Sequence, residues 1–368
     1  MIPKAHELRY WLALAQTPGV GARTFQTLLK AGVNPAELFE QPVSCLRDLG
    51  LSDPVIEGLR CPDWRSVEHN LAWAAQPNCH ILTLADPSYP PQLKEIASPP
   101  PILFVHGRPE ALKRAQLAIV GSRNPSAAGR KLAFEFAKAL AELDLVITSG
   151  LAVGIDGAAH QGALAGGGKT IAVLGTGPDL IYPPQHKNLA AEIVSHGAIV
   201  SEFPPGTPVR ARHFPRRNRI IAGLSLGTLV VEATRRSGSL ITARFALEQG
   251  REVMAIPGAI HNPQAKGCNA LIREGAKLVE TIEDVLEALN LIPSHSLASD
   301  AQPPCPLKNS ELSDDYRDLL GKIDCSPTPV DRLVEITGLP PQELASMLLV
   351  LELEGYVISV PGGGYQRI

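Results

Sequence analysis

Cysteine is scarce in this 368-residue sequence and scattered where it occurs. Cys45, Cys61, Cys79, Cys268, Cys305 and Cys325 form no CxxC pair. That pattern fits reduced thiols in a cytoplasm better than a disulfide framework or a zinc cage. No apolar run approaches the roughly 18 residues needed to span a bilayer. The first residues, MIPKAHELRYW, lack the apolar core of a signal peptide. Net charge is also missing: 34 Lys and Arg stand against 37 Asp and Glu, giving −3. A polybasic nucleic-acid binder is excluded, although a local basic groove is not. Aromatic residues make up only 5%. The signatures of common hydrolases are absent, with no GxSxG elbow and no HExxH.

Nucleotide-cofactor motifs fail on inspection. Gly175-Thr176-Gly177 is followed by Pro178-Asp179-Leu180, so the third glycine of GxGxxG is missing. Gly168-Lys169-Thr170 has the ending of a P-loop, but the leading glycine would fall at Ala163, and the stretch precedes a strand instead of following one. No cofactor and no metal site is expected.

What is present is ample core material. Hydrophobic residues reach 45% and charged residues 19%, and the length suggests two or three domains. Residues 1–78 read as short helices broken by Pro18-Gly19-Val20-Gly21, Asn34-Pro35 and Ser52-Asp53-Pro54. The helix–turn–helix around Gly19 either presents backbone N–H groups to a phosphate or serves as a packing module. In residues 79–292, short β-branched runs alternate with amphipathic helical stretches. The runs are Ile81–Leu84, Ile102–His106, Leu117–Val120, Leu145–Thr148, Thr170–Leu174, Ala198–Ser201, Thr228–Glu232, Glu252–Ile256 and Lys277–Val279. This alternation predicts an α/β fold with a doubly wound, mostly parallel sheet covered on both faces. Residues 293–310 are rich in Pro and Ser and read as a flexible linker. Residues 311–368 give helices near Leu312–Ile323, Val330–Thr337 and Pro341–Glu354, an extended run Tyr356–Val360 and a Gly362-Gly363-Gly364 turn. That is the order of a winged helix.

Charge is unevenly spread. Residues 300–368 hold 5 basic and 11 acidic side chains, a net of −6, which leaves +3 for residues 1–299. From Phe203 to Leu247 there are eight arginines and one acid, Glu232. Four strands lead into small polar loops: Gly121-Ser122-Arg123, Ser149-Gly150-Leu151-Ala152, Gly175-Thr176-Gly177 and Ser237-Gly238-Ser239. In a parallel sheet such loops gather at the carboxyl edge, where glycine lets N–H groups approach an anion and arginine forks onto phosphate. Arg210 to Arg219 is the densest basic segment, and its His213 and Phe214 offer rings for stacking, each base worth ~1–3 kcal/mol. Phe214 serves equally well as a core anchor. Asp156 and His160 share a helix face. They form either a general acid/base pair or, as the pattern favours, a helix-start charge and a packing residue. The recognition-helix position Pro341–Glu354 holds Glu343, Glu352 and Glu354 and no cation, so it is expected to bind protein or fold back and not to read duplex DNA.

These words in this order resemble the DprA/Smf family: Ile119-Val120-Gly121-Ser122-Arg123, Ser149-Gly150-Leu151-Ala152 with Gly154-Ile155-Asp156, Thr170-Ile171-Ala172-Val173-Leu174-Gly175, Phe214-Pro215-Arg216-Arg217-Asn218-Arg219, Val230-Val231-Glu232-Ala233, and Ser237-Gly238-Ser239-Leu240-Ile241-Thr242. The resemblance implies a Rossmann-like DNA-binding core over 79–292. It further implies a helical SAM/helix-hairpin-helix-like module over 1–78 and a winged-helix-like module over 311–368. It implies a non-enzymatic protein of natural transformation that protects incoming single-stranded DNA and loads RecA recombinase onto strands covered by single-strand-binding protein, as a homodimer through the core, with no membrane association. The resemblance implies a DNA pocket that uses Arg123 and Lys169, with Arg216, Arg217, Asn218 and Arg219 of the FPRRNR segment by analogy; the carboxyl-edge loops add Gly121, Ser122, Gly150, Ser237, Gly238 and Ser239 as DNA-binding candidates. The competing readings are a lysine-decarboxylase-like nucleotide N-glycosidase and a nucleotide-sensing module. The PGGxGTxxE signature of the former is matched here only by Pro361-Gly362-Gly363-Gly364, without the following Thr and Glu.

Overall fold

The computed structural model describes residues 5–291, 314–323, 328–360 and 364–367. The linker expected at 293–310, the Cys305 and Cys325 thiols and most of the glycine turn at 361–363 lie outside the described residues. The chain divides into two compact units, Met1–Ile292 and Pro293–Ile368.

All nine β-branched runs of the first unit form strands, and all belong to one sheet. They are β1 (Cys79–Thr83), β2 (Ile102–Gly107), β3 (Gln116–Val120), β4 (Val146–Ser149), β5 (Thr170–Val173), β6 (Ala198–Ser201), β7 (Gly227–Val230), β8 (Glu252–Ala255) and β9 (Lys277–Leu278). The order is β1-β2-β6-β5-β4-β3-β7-β8-β9. From β6 to β9 every neighbouring pair is parallel, whereas β1 and β2 add an antiparallel edge. The chain winds outward from β3 through β4 and β5 to β6, then returns to β7 on the other side of β3. The loops after β3 and β7 therefore diverge and leave a crevice at the carboxyl edge between them.

Burial on both faces explains why the central strands β3 to β7 read as mostly apolar runs. Along β3, Leu117 and Ile119 join one hydrophobic cluster, while Ala118 and Val120 join another. The first cluster lies under helices Ala127–Glu142 and Ile155–Ala165, through Ala133, Leu140 and Ala159. The second lies under helices His213–Leu224 and Ser239–Glu248, through Ile220, Ile221 and Ala243. Each buried aliphatic side chain of this kind contributes about 1.5–3 kcal/mol.

The helices of residues 5–78 share that second cluster. Trp11, Leu12, Phe25 and Trp73 belong to the same apolar group as Leu103 and Val105 of β2. The Pro18-Gly19-Val20-Gly21 turn joins helices Ala5–Gln16 and Ala22–Lys30.

The second unit has helices Asp314–Lys322, Val330–Thr337 and Pro341–Leu353, followed by a small antiparallel sheet of Thr328–Pro329, Gly364–Arg367 and Val357–Val360. Gly338, at φ +70°, closes the second helix in a left-handed turn that suits glycine. Leu319, Leu333, Leu348, Leu351 and Val357 form its core. This is a winged helix.

Candidate nucleic-acid interface

A cleft of about 710 Å³ opens at the crossover between β3 and β7. It is lined by Val120 to Asn124 after β3, residues between Thr234 and Thr242 after β7, helix His213–Leu224 with Val209 and Ala211 before it, Tyr182 from the loop after β5, Ala152 and Asp156 after β4, and Gln264. Of the twelve expected site residues, eight meet here: Gly121, Ser122, Arg123, Arg217, Asn218, Ser237, Gly238 and Ser239.

The loop after β3 is held in place by protein contacts. The Glu232 carboxylate at the end of β7 accepts the Ser126 N–H (2.9 Å) and hydroxyl (2.6 Å), and its own carbonyl accepts the Ser122 N–H (2.7 Å). Ser126 in turn caps helix Ala127–Glu142 by accepting the Gly129 N–H at 2.9 Å. Gly154, at φ +88°, lets this loop lie against the next helix start, since a Cβ there would stand 2.8 Å from the Arg123 carbonyl. The outcome is that Arg123 stands exposed at the rim and forms no ion pair among the described residues. Its guanidinium carbon lies 5.9 Å from the centre of the Phe214 ring. Asn218 donates to the Gly238 carbonyl at 3.3 Å and so ties the helix to the serine loop, where Ser237 and Ser239 share a hydrogen bond of 2.7 Å.

The floor is charged and buried. Arg217 is 4% exposed and donates to the Val173 carbonyl at the end of β5. Burial pushes its pKa down to about 10, against the favourable field of Asp156. The Arg217 Nε has no partner. Gly150 makes room for this side chain, because a Cβ would come 2.6 Å from the guanidinium carbon. Asp156 accepts the N–H groups of Gly150 (3.1 Å) and Ala152 (3.4 Å), and burial raises its pKa. His160 is fully buried, with Nδ1 2.6 Å from the Thr170 hydroxyl and its pKa pushed down by burial to about 3. It is therefore neutral at physiological pH. Asp156 and His160 thus play the helix-start and packing roles that their spacing favours.

Four expected residues do not line the cleft: Gly150 lies against Arg217, and Lys169, Arg216 and Arg219 lie elsewhere. Lys169 precedes β5, and in a parallel sheet the residue before a strand sits at the amino edge, away from the loops that follow the strands. The expectation that Lys169 shares the pocket with Arg123 is corrected on that ground. Arg216 and Arg219 project from the far side of helix His213–Leu224 and both pair with Glu202, Arg216 at 3.1 Å. Arg219 also donates to the Ser98 carbonyl at 2.8 Å. Its side chain is 9% exposed, so it is a buried structural cation. A second correction concerns the loop amides. The Ser122 and Gly150 N–H groups are bound by protein oxygens and are not offered to an anion. His213 stacks on Phe203 at 4.0 Å and is buried, whereas Phe214 reaches the cleft.

Sequence reasoning missed Tyr182 and Glu232. Tyr182 follows the Gly175-Thr176-Gly177 loop at the carboxyl edge, which was a usable signal. Glu232 was visible as the lone acid among eight arginines, but its clamp on a loop about a hundred residues earlier was not.

Comparison with known proteins places these features. The family model described as DNA recombination-mediator protein A matches residues 80–290, and that of the DprA winged helix domain matches residues 302–363. The chain is 48% identical over 312 residues to protein Smf of Escherichia coli, covering 83% of this chain and 81% of that one. The solved structure of DNA processing protein A from Streptococcus pneumoniae is similar, with TM-score 0.68 and 40% identity, covering 76% of this chain and 97% of that one. So is DNA processing protein A from Helicobacter pylori, whose structure concerns its single-stranded DNA binding mode, with TM-score 0.52 and 28% identity, covering 57% and 96% of the two chains.

Proposed function

The chain belongs to the DNA recombination-mediator protein A family, and on that premise we propose that it binds single-stranded DNA in the cleft at the β3–β7 crossover. The observation that carries this is the meeting of an exposed, unpaired Arg123 with Arg217, Asn218 and the 237–239 serine loop around one cleft. Arg123 supplies a charge-assisted contact to a phosphate, the serines and Asn218 supply neutral hydrogen bonds, and Arg217 supplies positive potential from below. None of these groups reads a base edge in a groove, so the grip is blind to sequence. The bound strand is shielded, and no bond in it is broken.

The finer reading is that the protein protects incoming single strands during natural transformation and loads RecA recombinase onto strands covered by single-strand-binding protein. A homodimer through the core would hold two clefts on one strand and raise avidity without new contacts. The recognition helix of the winged helix, Pro341–Leu353, exposes Gln342, Glu343, Ala345, Ser346 and Leu349 and no cation. A duplex phosphate backbone is repelled by such a face, and a protein partner suits it better. No helix among the described residues is long and apolar enough to cross a membrane.

Fluorescence-anisotropy titration with single-stranded and duplex oligomers of equal length tests the proposal. Preference for the single strand, with affinity falling as salt rises, is expected. Equal affinity for duplex, or no dependence on salt, contradicts it.

A further inference from the structure

We propose that Tyr182 is a stacking platform for one nucleobase of the strand; this rests on the reading of the cleft as a single-stranded DNA site. Every aromatic side chain of the sequence lies within the described residues, and among them Tyr182 alone is classed as exposed, at 42%. An aromatic ring that packs into a fold removes a large apolar area from water, so one left in solvent at a cleft does little for stability. Its position does have a use. Tyr182 lines the cleft beside Phe214, with ring centres 5.7 Å apart and planes tilted by 50°. Arg123 lies against the same Phe214 ring at 5.9 Å. A phosphate-seeking cation and an exposed ring are thus both braced on one buttress.

The spacing fixes which face takes the base. A base sandwiched between two rings needs about 7 Å, twice the stacking distance of about 3.4 Å. The 5.7 Å between Tyr182 and Phe214 leaves no room. The base therefore lies on the outer face of Tyr182, while Phe214 supports the inner face. Stacking uses the π-face that every base has, so the platform adds affinity without sequence preference. It is also uncharged, so its contribution is insensitive to salt, unlike that of Arg123.

The test compares an oligothymidylate with a strand of the same length made of abasic spacers, by anisotropy at several salt concentrations. The variants are Tyr182→Ala, Tyr182→Leu, Tyr182→Phe and Arg123→Ala in the full chain, with thermal melting to confirm folding. Tyr182→Ala and Tyr182→Leu are expected to weaken oligothymidylate binding by about fivefold or more, with Tyr182→Phe within about twofold of the parent. None of the three should change abasic-strand binding, and the salt slope should stay as in the parent. Arg123→Ala should weaken both strands. Parent-like oligothymidylate binding by Tyr182→Leu, or equal loss on both strands by Tyr182→Ala, overturns the platform. Parent-like binding of both strands by Arg123→Ala overturns the cleft reading instead.

Discussion

Helix His213–Leu224 carries arginines of the same segment into two different surroundings. On one side Arg217 faces the cleft, with no carboxylate in ion-pair contact, under an exposed Arg123. On the other side Arg216 and Arg219 converge on the buried Glu202 carboxylate. One side leaves the Arg123 charge unpaired for a ligand, and the other neutralises its charge on Glu202, which ties the helix to the segment after β6. Density of arginine in a sequence is thus not itself a site. The acid that each arginine meets, 14 or 17 residues earlier in this case, decides its use.

The contrast can be broken by experiment. The largest effect is expected on the Glu202 side. Glu202→Ala leaves Arg219 buried without its partner, and breaking such a pair costs about 3–5 kcal/mol. Urea denaturation should show that loss, while protein that remains folded binds oligonucleotide as before. If binding falls and stability does not, the two sides have been assigned the wrong way round.

On the cleft side, Gly150→Ala drives a methyl group into the Arg217 guanidinium. Overpacking of this kind costs about 1–3 kcal/mol. Because Arg217 forms the floor, binding should weaken together with the melting temperature, and unchanged values of both would contradict the packing described here.

The helix behind the cleft has a pH signature of its own. His160 is neutral in the fold, with its pKa lowered from 6.5 to about 3. The unfolded chain takes up the proton first as pH falls. The contribution of His160 to stability is therefore complete above about pH 6.5 and is lost toward pH 3, at about 1.4 kcal/mol per pH unit. Urea midpoints at pH 7, 6 and 5 should fall in the parent and fall less steeply in His160→Gln. Parallel profiles would remove His160 from this account.

The smallest effect is expected for Lys169→Ala. Its place at the amino edge of the sheet predicts binding within about 0.5 kcal/mol of the parent, as for a surface substitution away from the site. A loss comparable to that of Arg123→Ala would show that the strand reaches the opposite edge.

Much of this was legible beforehand, and for a physical reason. The central strands β3 to β7 are buried on both faces and so are mostly apolar, which made them legible, while β9, exposed at Lys277 and Leu278, was marked only by its place in the strand–helix alternation. The loops carrying Arg123 and Ser237 were placed correctly because a parallel sheet puts every strand-to-helix turn on one edge. Lys169 was misplaced for want of that same rule, since it precedes its strand. The pairing of Arg219 with Glu202 and the clamp of Glu232 on Ser126 were hidden because they join residues distant in sequence, through side-chain directions that no periodicity encodes. Tyr182 had one signal, its place after the Gly175-Thr176-Gly177 loop at the carboxyl edge, but nothing in the sequence marks a ring that folding leaves in water.

The central claim is that the unpaired charge on the cleft side, and not the paired charge on the other, holds the strand. Anisotropy titration of Arg123→Ala and Arg216→Ala with one single-stranded oligomer across a range of salt concentrations tests it most directly. Arg123→Ala should bind more weakly by about 1.5–3 kcal/mol, the worth of a charged hydrogen bond, and with a salt slope shallower by about 0.7, while Arg216→Ala follows the parent. If Arg216→Ala lost affinity and slope while Arg123→Ala kept both, the claim would be contradicted.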